Sequence, residues 1–272
     1  MIELIFKALT FVLLALCLPL HVCAQEPDPL PIPSLSEEER RIISFKSSDD
    51  VNDDEDDTDS NVSGSKILDF CGQDVNLEIR ERRIRLRREL QVISRFSSVL
   101  MQRSAYYFPI IEPILKQNNI PDDFKYLMVI ESAMNPYARS YKGAAGLWQF
   151  MEGTARDYGL VVNGQVDERY HLQKATAAAC RYLNDAYQRF GDWVAVAQSY
   201  NIGQGRISNE LSSQKVDEAL DLNLVEETNR YVYRIFATKM IFTSPETYKL
   251  TIPMPYYNKI RVPSRQKGQR RM

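Results

Sequence analysis

The spacing of apolar residues predicts a chain built mainly from α-helices. From Leu77 onward, apolar side chains recur at steps of three or four residues or at multiples of these, as at Ile79, Leu86, Leu90, Ile93 and Leu100. The opposite face carries the arginines Arg80, Arg82, Arg83, Arg85, Arg87 and Arg88. This pattern predicts an amphipathic, arginine-rich helix over residues 76–104. Its basic face suits acidic polymers or lipid headgroups, and it equally suits a solvated face beside an acidic segment.

Helical patterns continue almost to the C-terminus, which makes the fold class mainly α. We predict further helices at about 104–118, 121–135, 152–158, 172–190, 193–200, 216–220 and 226–242. Pro109 and Pro113 are expected to kink or split the first of these. Residues 136–151 are rich in Gly and Ala, and they predict a loop that forms a tight, partly strand-like wall.

The N-terminus has the features of a secretory signal. Lys7 precedes a short apolar stretch over residues 8–20, and Val22-Cys23-Ala24 forms a cleavage site before Gln25. Residues 1–24 are therefore predicted to be a signal peptide of an exported, periplasmic or envelope protein. A lipid anchor is less favoured, because Leu and Val precede the two cysteines of this segment where a lipoprotein signal needs a small residue.

Residues 25–75 are predicted to be a disordered linker. The segment holds four alternating prolines between residues 27 and 33, and it then holds a block of acidic side chains over residues 49–59. A calcium loop is the alternative for this block, but the central Gly and terminal Glu of an EF-hand are missing. The remaining chain divides into a folded helical domain over residues 105–262 and a basic tail over residues 263–272.

Composition excludes several kinds of site. The net charge of −2 gives no overall attraction to nucleic acid. After cleavage only His171 remains, which argues against a Ser-His-Asp triad and against a metal site of several histidines; His171 is expected to begin the helix at Leu172. Cys71 and Cys180 also remain, and they either form a disulfide in an oxidising compartment or leave Cys180 as a small buried thiol.

Glu131 is the strongest candidate for catalysis. It ends an otherwise apolar run, residues 124–130, and is followed by Ser132. Burial disfavours the charged carboxylate, so the pKa of Glu131 should rise and the side chain could donate a proton near neutral pH. Protonation of a leaving oxygen is what cleavage of a glycosidic bond requires. The alternative is a helix-terminal glutamate that points to solvent.

Three further motifs follow Glu131-Ser132 in order. They are Gly146-Leu147-Trp148-Gln149-Phe150-Met151, then Ala197-Gln198-Ser199-Tyr200-Asn201-Ile202-Gly203, then Glu227-Thr228 with Tyr231-Val232. With Glu131 these blocks resemble the lytic transglycosylase family, whose SLT domain has a goose-lysozyme-like fold. The resemblance spans roughly residues 105–243. It implies a helical, lysozyme-like domain with a small β-hairpin.

The resemblance also implies an enzyme that cleaves peptidoglycan strands with no cofactor and no metal. Glu131 would act first as acid and then as base, giving a 1,6-anhydromuramyl end. The substrate-binding residues carried over by the motifs are Ser140, Gln149, Met151, Tyr200, Asn201, Glu227 and Tyr231. Among these, Tyr200 is expected to lie within hydrogen-bonding reach of Glu131. For Met151, Tyr231 and Trp148, the alternative to substrate binding is a purely structural role.

Two positions depart from the family pattern, and two other functions remain open. Ser199 and Ile202 stand where the family usually has Ala, and Ile202 would reshape one wall of the groove. A goose-type lysozyme hydrolase would need a second, water-activating carboxylate, for which the candidates are Asp157, Asp167 and Asp192. The third hypothesis is a non-catalytic peptidoglycan-binding scaffold, which the presence of Glu131 argues against.

Overall fold

The computed structural model describes residues 67–245, and the predicted signal peptide, acidic block and basic tail lie outside this range. The described elements are two strands, β1 (Ile67–Phe70) and β2 (Gln73–Asn76), and the helices α1 (Arg80–Ser94), α2 (Ser97–Gln117), α3 (Phe124–Ser132), α4 (Glu152–Asp157), α5 (Leu172–Phe190), α6 (Trp193–Ile202), α7 (Gln204–Gln214) and α8 (Glu226–Thr243). Short 3-10 turns occupy Glu168–Tyr170 and Ala219–Asp221. The mainly helical fold class with a small hairpin is confirmed.

Helix α8 lies at the centre of the packing. It contacts α1, α3 and α6, while α5 packs against α2 and α6. Val232, Ile235 and Phe236 of α8 are fully buried. Helix α8 thus joins α1, from the N-terminal end of the described chain, and α3, which carries Glu131.

Helix α3 is buried on all sides, as its apolar sequence requires. Residues 124–130 are all buried, including Lys125, whose ammonium group pairs with Glu112 at 2.8 Å and with Asp122. The helix ends at Ser132, because Ala133 adopts a left-handed conformation with φ 48°. The helix thus ends three residues before the predicted bound at residue 135.

Helix α5 has the predicted bounds, and its ends explain why. The ring nitrogen Nδ1 of His171 accepts a hydrogen bond from the backbone N–H of Lys174 (3.4 Å), which caps the first turn. Gly191 ends the helix with φ 64°. The structural role expected for His171 is confirmed. Cys180 is fully buried, and both Cys180 and Cys71 are free thiols, so the disulfide does not form in this structure.

The hairpin β1–β2 corrects the prediction that residues up to 75 form a linker. Its two strands pair antiparallel, with Phe70 opposite Gln73. Both turn residues, Cys71 and Gly72, have positive φ, which a two-residue hairpin turn needs. No clear sequence pattern marks this hairpin, because each strand has four residues and Cys71 stands where Asn or Asp is typical. Phe70 and Val75 nevertheless lie in the core.

The helix bounds near the N-terminus also differ from the predicted ones. The arginine-rich helix covers Arg80–Ser94, and a new helix begins at Ser97, so residues 76–104 are not one helix. Helix α2 runs continuously through Pro109 and Pro113 instead of splitting. Near the C-terminal side, α7 was not predicted, and the helix expected at 216–220 is only the 3-10 turn Ala219–Asp221.

Several arginines of α1 bind other parts of the chain. Arg82 is buried and pairs with Asp221 (2.5 Å) and Glu218 (2.8 Å). Arg85 pairs with Glu81 and Glu226. This part of the basic face therefore fastens α1 to the segment before α8 and to the first residue of α8. No helix among the described residues combines the length and apolar character needed to cross a lipid bilayer.

We predict that Phe70→Ala lowers the free energy of unfolding by about 3–5 kcal/mol. The Phe70 ring is fully buried and contacts the rings of Phe124 (5.9 Å between centroids) and Phe236 (5.1 Å). Ile67→Ala is the matched control on the same strand, because Ile67 is 51% exposed, and it should cost less than about 0.5 kcal/mol. Urea titration measures both, and equal losses would place the hairpin outside the core.

Candidate active site

The centre of the site is a hydrogen bond between α3 and α8. The Tyr231 hydroxyl donates to Oε1 of Glu131 at 2.5 Å. Glu131 is half-buried and Tyr231 is buried. Within residues 67–245 no protein group donates a hydrogen bond to the other carboxyl oxygen, Oε2. The carboxyl group is therefore held at one oxygen, while the second remains available.

The surroundings of Glu131 raise its pKa to about 7. Loss of solvent around the carboxyl group is the main cause, and the charge of Glu227 adds to it. The hydrogen bond from Tyr231 and the positive charge of Arg234 act in the opposite direction. Near neutral pH, Glu131 is consequently poised between its acid and its base form, which is the condition under which one group can perform both tasks.

Tyr200 is not the hydrogen-bond partner of Glu131, contrary to the sequence-based expectation. Its hydroxyl donates to the backbone carbonyl of Trp148 at 2.8 Å. The rings of Phe150 and Tyr182 contact the Tyr200 ring, with centroids 6.1 and 5.1 Å away. Burial and the nearby Glu131 charge hold the pKa of the Tyr200 phenol well above its usual value. Tyr200 thus lies near Glu131 and supports the adjoining wall.

That wall is the loop over residues 136–151. Isolated bridges join Arg139 to Ala145 and Ala145 to Phe150, so the predicted strand-like character is confirmed. Buried Arg169 braces the loop from outside, because its guanidinium donates to the carbonyls of Gly143 (2.8 Å) and Phe150 (3.1 Å).

Two residues of the motif at 146–151 have different tasks. Trp148 is fully buried, and its indole N–H donates to Thr176 Oγ1 at 2.9 Å, so it belongs to the core. Gln149 is half-buried with φ 49°, and its amide donates to the carbonyls of Ala138 (3.1 Å) and Gly146 (2.7 Å). These bonds fix the orientation of the Gln149 amide.

Ser140 and Met151 are both exposed in the same loop segment. The Ser140 hydroxyl oxygen accepts a hydrogen bond from the backbone N–H of Ala144 at 3.0 Å. Met151 is 45% exposed, which removes its alternative as a plain core residue. Ser132, by contrast, is buried and accepts a hydrogen bond from the backbone N–H of Met134 (3.1 Å), as expected of a residue that supports the helix end.

Asn201 and Glu227 lie where α6 and α8 meet. The buried Thr228 hydroxyl donates to Asn201 Oδ1 at 2.8 Å, which ties the end of α6 to the first turn of α8. Glu227 is exposed in that turn, and its charge acts on Glu131. Asn201 therefore positions elements of the site, while Glu227 contributes to its electrostatics.

Sequence reasoning missed two arginines that act on the Glu131 helix. Buried Arg103 of α2 donates to the Ala133 carbonyl at 2.9 Å and so braces the left-handed end of α3. Buried Arg234 of α8 supplies the positive charge that acts on Glu131. An arginine inside an apolar helical face was the available signal, but only packing shows which group it meets.

The three carboxylates considered as the water-activating group of a hydrolase are bound to other groups or lie exposed. Asp167 forms an ion pair with Arg169 at 2.6 Å. Asp192 caps α6 by accepting a hydrogen bond from the Ala195 N–H at 2.7 Å. Asp157 is exposed at the end of α4. Within the described part of the chain, no group of three or more His, Cys, Asp or Glu side chains is arranged to hold a metal ion.

Residues 108–222 match the family model described as "Transglycosylase SLT domain". The chain is 30% identical over 192 residues to membrane-bound lytic murein transglycosylase D of Escherichia coli (strain K12), covering 68% of this chain and 42% of that protein. It is 27% identical over 186 residues to membrane-bound lytic murein transglycosylase C of Haemophilus ducreyi, covering 62% and 50%. It is 30% identical over 114 residues to a putative tributyltin chloride resistance protein of Alteromonas sp. (strain M-1), covering 42% and 55%. The chain thus spans 42–55% of the length of these relatives.

Glu131→Gln should stabilise the fold at alkaline pH but not at acid pH. The folded-state pKa of about 7 exceeds the ordinary value of 4.5, so the wild type loses stability as pH rises through this window, whereas the amide does not titrate. Above pH 7, the free energy of unfolding of the variant should exceed that of the wild type by about 3 kcal/mol. Thermal unfolding of both proteins, with the exposed Glu81→Gln as control, measures it. A gap that does not change with pH would mean that Glu131 has an ordinary pKa.

Gly146→Ala should destabilise the chain much more than Gly143→Ala. Both glycines have positive φ, 76° and 90°, so both changes share the backbone cost of about 1–2 kcal/mol. A Cβ at Gly146 would also lie 1.9 Å from the Arg169 carbonyl oxygen, whereas at Gly143 it would meet nothing within 4 Å. Chemical denaturation compares the two variants, and similar losses would contradict the close contact between the loop and Arg169.

Proposed function

We propose that this chain, whose residues 108–222 match the transglycosylase SLT domain family model, is a peptidoglycan lytic transglycosylase. It cleaves the β-1,4 bond between N-acetylmuramic acid and N-acetylglucosamine and leaves a 1,6-anhydromuramyl end. The observation that carries this proposal is Glu131, a carboxyl group whose pKa is raised to about 7 and whose Oε2 has no protein donor within residues 67–245.

In the first step Glu131 acts as the general acid. Tyr231 donates to Oε1, and its own pKa is held well above the usual range, so it remains a donor throughout. The transferable proton therefore resides on Oε2. It passes to the glycosidic oxygen as the bond from that oxygen to the muramyl anomeric carbon breaks, and N-acetylglucosamine leaves with a hydroxyl group.

In the second step the Glu131 carboxylate acts as the base. It takes the proton of the muramyl C6 hydroxyl, whose oxygen forms a new bond to the anomeric carbon. This returns Glu131 to its acid form, and no water is consumed. The attacking hydroxyl belongs to the same sugar, so its effective concentration at the reacting carbon is high. The Tyr231 hydrogen bond stabilises the carboxylate that exists between the two steps.

Seven residues around Glu131 are proposed to bind the glycan strand. Exposed Ser140 and half-buried Gln149 offer hydrogen bonds to the sugar or its acetamido group, and exposed Met151 offers an apolar contact. Tyr200, Asn201, Glu227 and Tyr231 would line the cleft from α6 and α8. Hydrogen bonds within the protein hold Gln149 through loop carbonyls, Tyr200 through Trp148 and Asn201 through Thr228.

A hydrolase reaction is less well supported than the intramolecular one. Asp167 and Asp192 are engaged by Arg169 and by the start of α6, which leaves neither free to activate water. We further propose that the protein is exported and acts in the periplasm or cell envelope, with peptidoglycan strands as its partner and with no cofactor. Attachment by a lipid anchor is the less favoured alternative.

Glu131→Gln should reduce the release of soluble muropeptides from purified peptidoglycan by about 10²–10⁴-fold, since the amide cannot donate and recover a proton. Mass spectrometry of the wild-type products should show fragments lighter by one water than their reducing-end counterparts. Glu81→Gln, an exposed substitution on α1, should leave the rate unchanged.

Reducing muramic ends would show that water attacks and would support the lysozyme-type alternative. Full activity of the folded Glu131→Gln variant would remove Glu131 from its assigned role. Binding to peptidoglycan without any product, from a folded wild-type sample, would favour the scaffold hypothesis.

A further inference from the structure

Helix α1 contributes a buried carboxylate that the proposed reaction does not use. Glu89 is only 1% exposed. Its Oε1 accepts a hydrogen bond from Arg230 Nε at 2.6 Å, and its Oε2 accepts one from Arg234 Nε at 3.1 Å. Both arginines belong to α8, so one side chain of α1 binds two successive turns of that helix.

Burial of this carboxylate costs free energy unless both of its oxygens are paired with cations. A carboxylate removed from water loses its hydration, and only close, well-oriented cations compensate for that loss. Glu89 has one guanidinium on each oxygen. Arg234 is itself 5% exposed, so its charge is also poorly hydrated and depends on Glu89.

The same arginine acts on the catalytic carboxyl group. Arg234 follows Tyr231 by three residues, and side chains at this spacing are neighbours on a helix surface. Tyr231 donates to Glu131, while the Arg234 charge favours the ionised form of Glu131. Glu89, Arg234 and Glu131 therefore form a line of alternating charge that crosses α8 from α1 to α3.

Other groups facing Glu131 do not replace this line. From α8 they are Tyr231 and Glu227, and from α6 the phenol is Tyr200. From α2, Arg103 binds the backbone carbonyl of Ala133. Among the groups that act on the pKa of Glu131, Arg234 is the one cation within the described residues.

We propose that Glu89 is a positioning residue for Glu131: it holds and balances the Arg234 guanidinium, and with it the turn of α8 that presents Tyr231. The inference rests on the proposed role of Glu131. Glu89 precedes and Arg234 follows residues 108–222, the part that matches the family model, so this ion pair joins segments on both sides of that part of the chain.

Removal of Glu89 and removal of Arg234 should shift the pH of half-protonation of Glu131 in opposite directions. Without Glu89, the Arg234 charge is less balanced, and it favours the ionised carboxylate more strongly. Without Arg234, the ionised carboxylate loses its cation. A purely structural role would disturb the site in the same way whichever partner was removed, so the sign of the effect separates the two cases.

The test is a carboxyl-carbon NMR titration of the full chain carrying ¹³C-labelled glutamate, with Glu131→Gln identifying the Glu131 signal. Glu89→Gln should lower the pH of half-protonation of Glu131 by roughly 0.5–1 unit, and Arg234→Met should raise it by a similar amount. The double variant should titrate close to the wild type. This readout needs no substrate, so it is independent of whether the chain is a transglycosylase.

Two controls keep the result interpretable. Arg234→Lys retains the charge and should titrate close to the wild type. Asp221→Asn removes a partner of buried Arg82 at the other end of α1 and should leave Glu131 unchanged. Should Glu89→Gln fail to fold, Arg234→Met alone decides, because Glu89 keeps its bond to Arg230. Shifts of the same sign in the two single variants, or no shift with Arg234→Met, would overturn the proposal.

Discussion

The rest of the site depends on the burial of one carboxyl group and on the single hydroxyl that binds it. Helix α3 is surrounded by protein, and Glu131 is at its end, where loss of solvent raises the pKa of the carboxyl group. Tyr231 limits that rise and fixes one oxygen. A fully solvated glutamate would be ionised near neutral pH and could not donate, whereas a buried one without the Tyr231 hydrogen bond would have a higher pKa and would be a weaker acid.

Helix α8 connects this carboxyl group to the remainder of the fold. It carries Tyr231 toward α3, Thr228 toward α6, and Arg230 and Arg234 toward Glu89 of α1. The position of Tyr231 is thus the result of contacts on three sides of one helix. The loop over residues 136–151 is positioned separately, by Arg169 and by its own hydrogen bonds.

Local sequence predicted an element correctly where the residues that define it lie within or next to that element. The bounds of α5 were predicted correctly because His171 and Gly191 mark its ends, and the wall formed by residues 136–151 followed from its Gly and Ala content. The hairpin β1–β2 and helix α7 were missed. Four-residue strands and an exposed, polar helix have little periodicity, and their stability comes from contacts such as that of Phe70 with Phe236.

The sequence by itself determined the helical class, the motif order and the choice of Glu131, because an apolar run that ends in a carboxylate is visible without coordinates. Only the tertiary structure decided which tyrosine binds Glu131. Tyr200 was expected within hydrogen-bonding reach of Glu131, but packing directs Tyr200 to the Trp148 carbonyl and Tyr231 to the carboxyl group. The role of Glu89 is likewise invisible in sequence, since its bonds to Arg230 and Arg234 span more than 140 residues and exist only once α1 packs on α8.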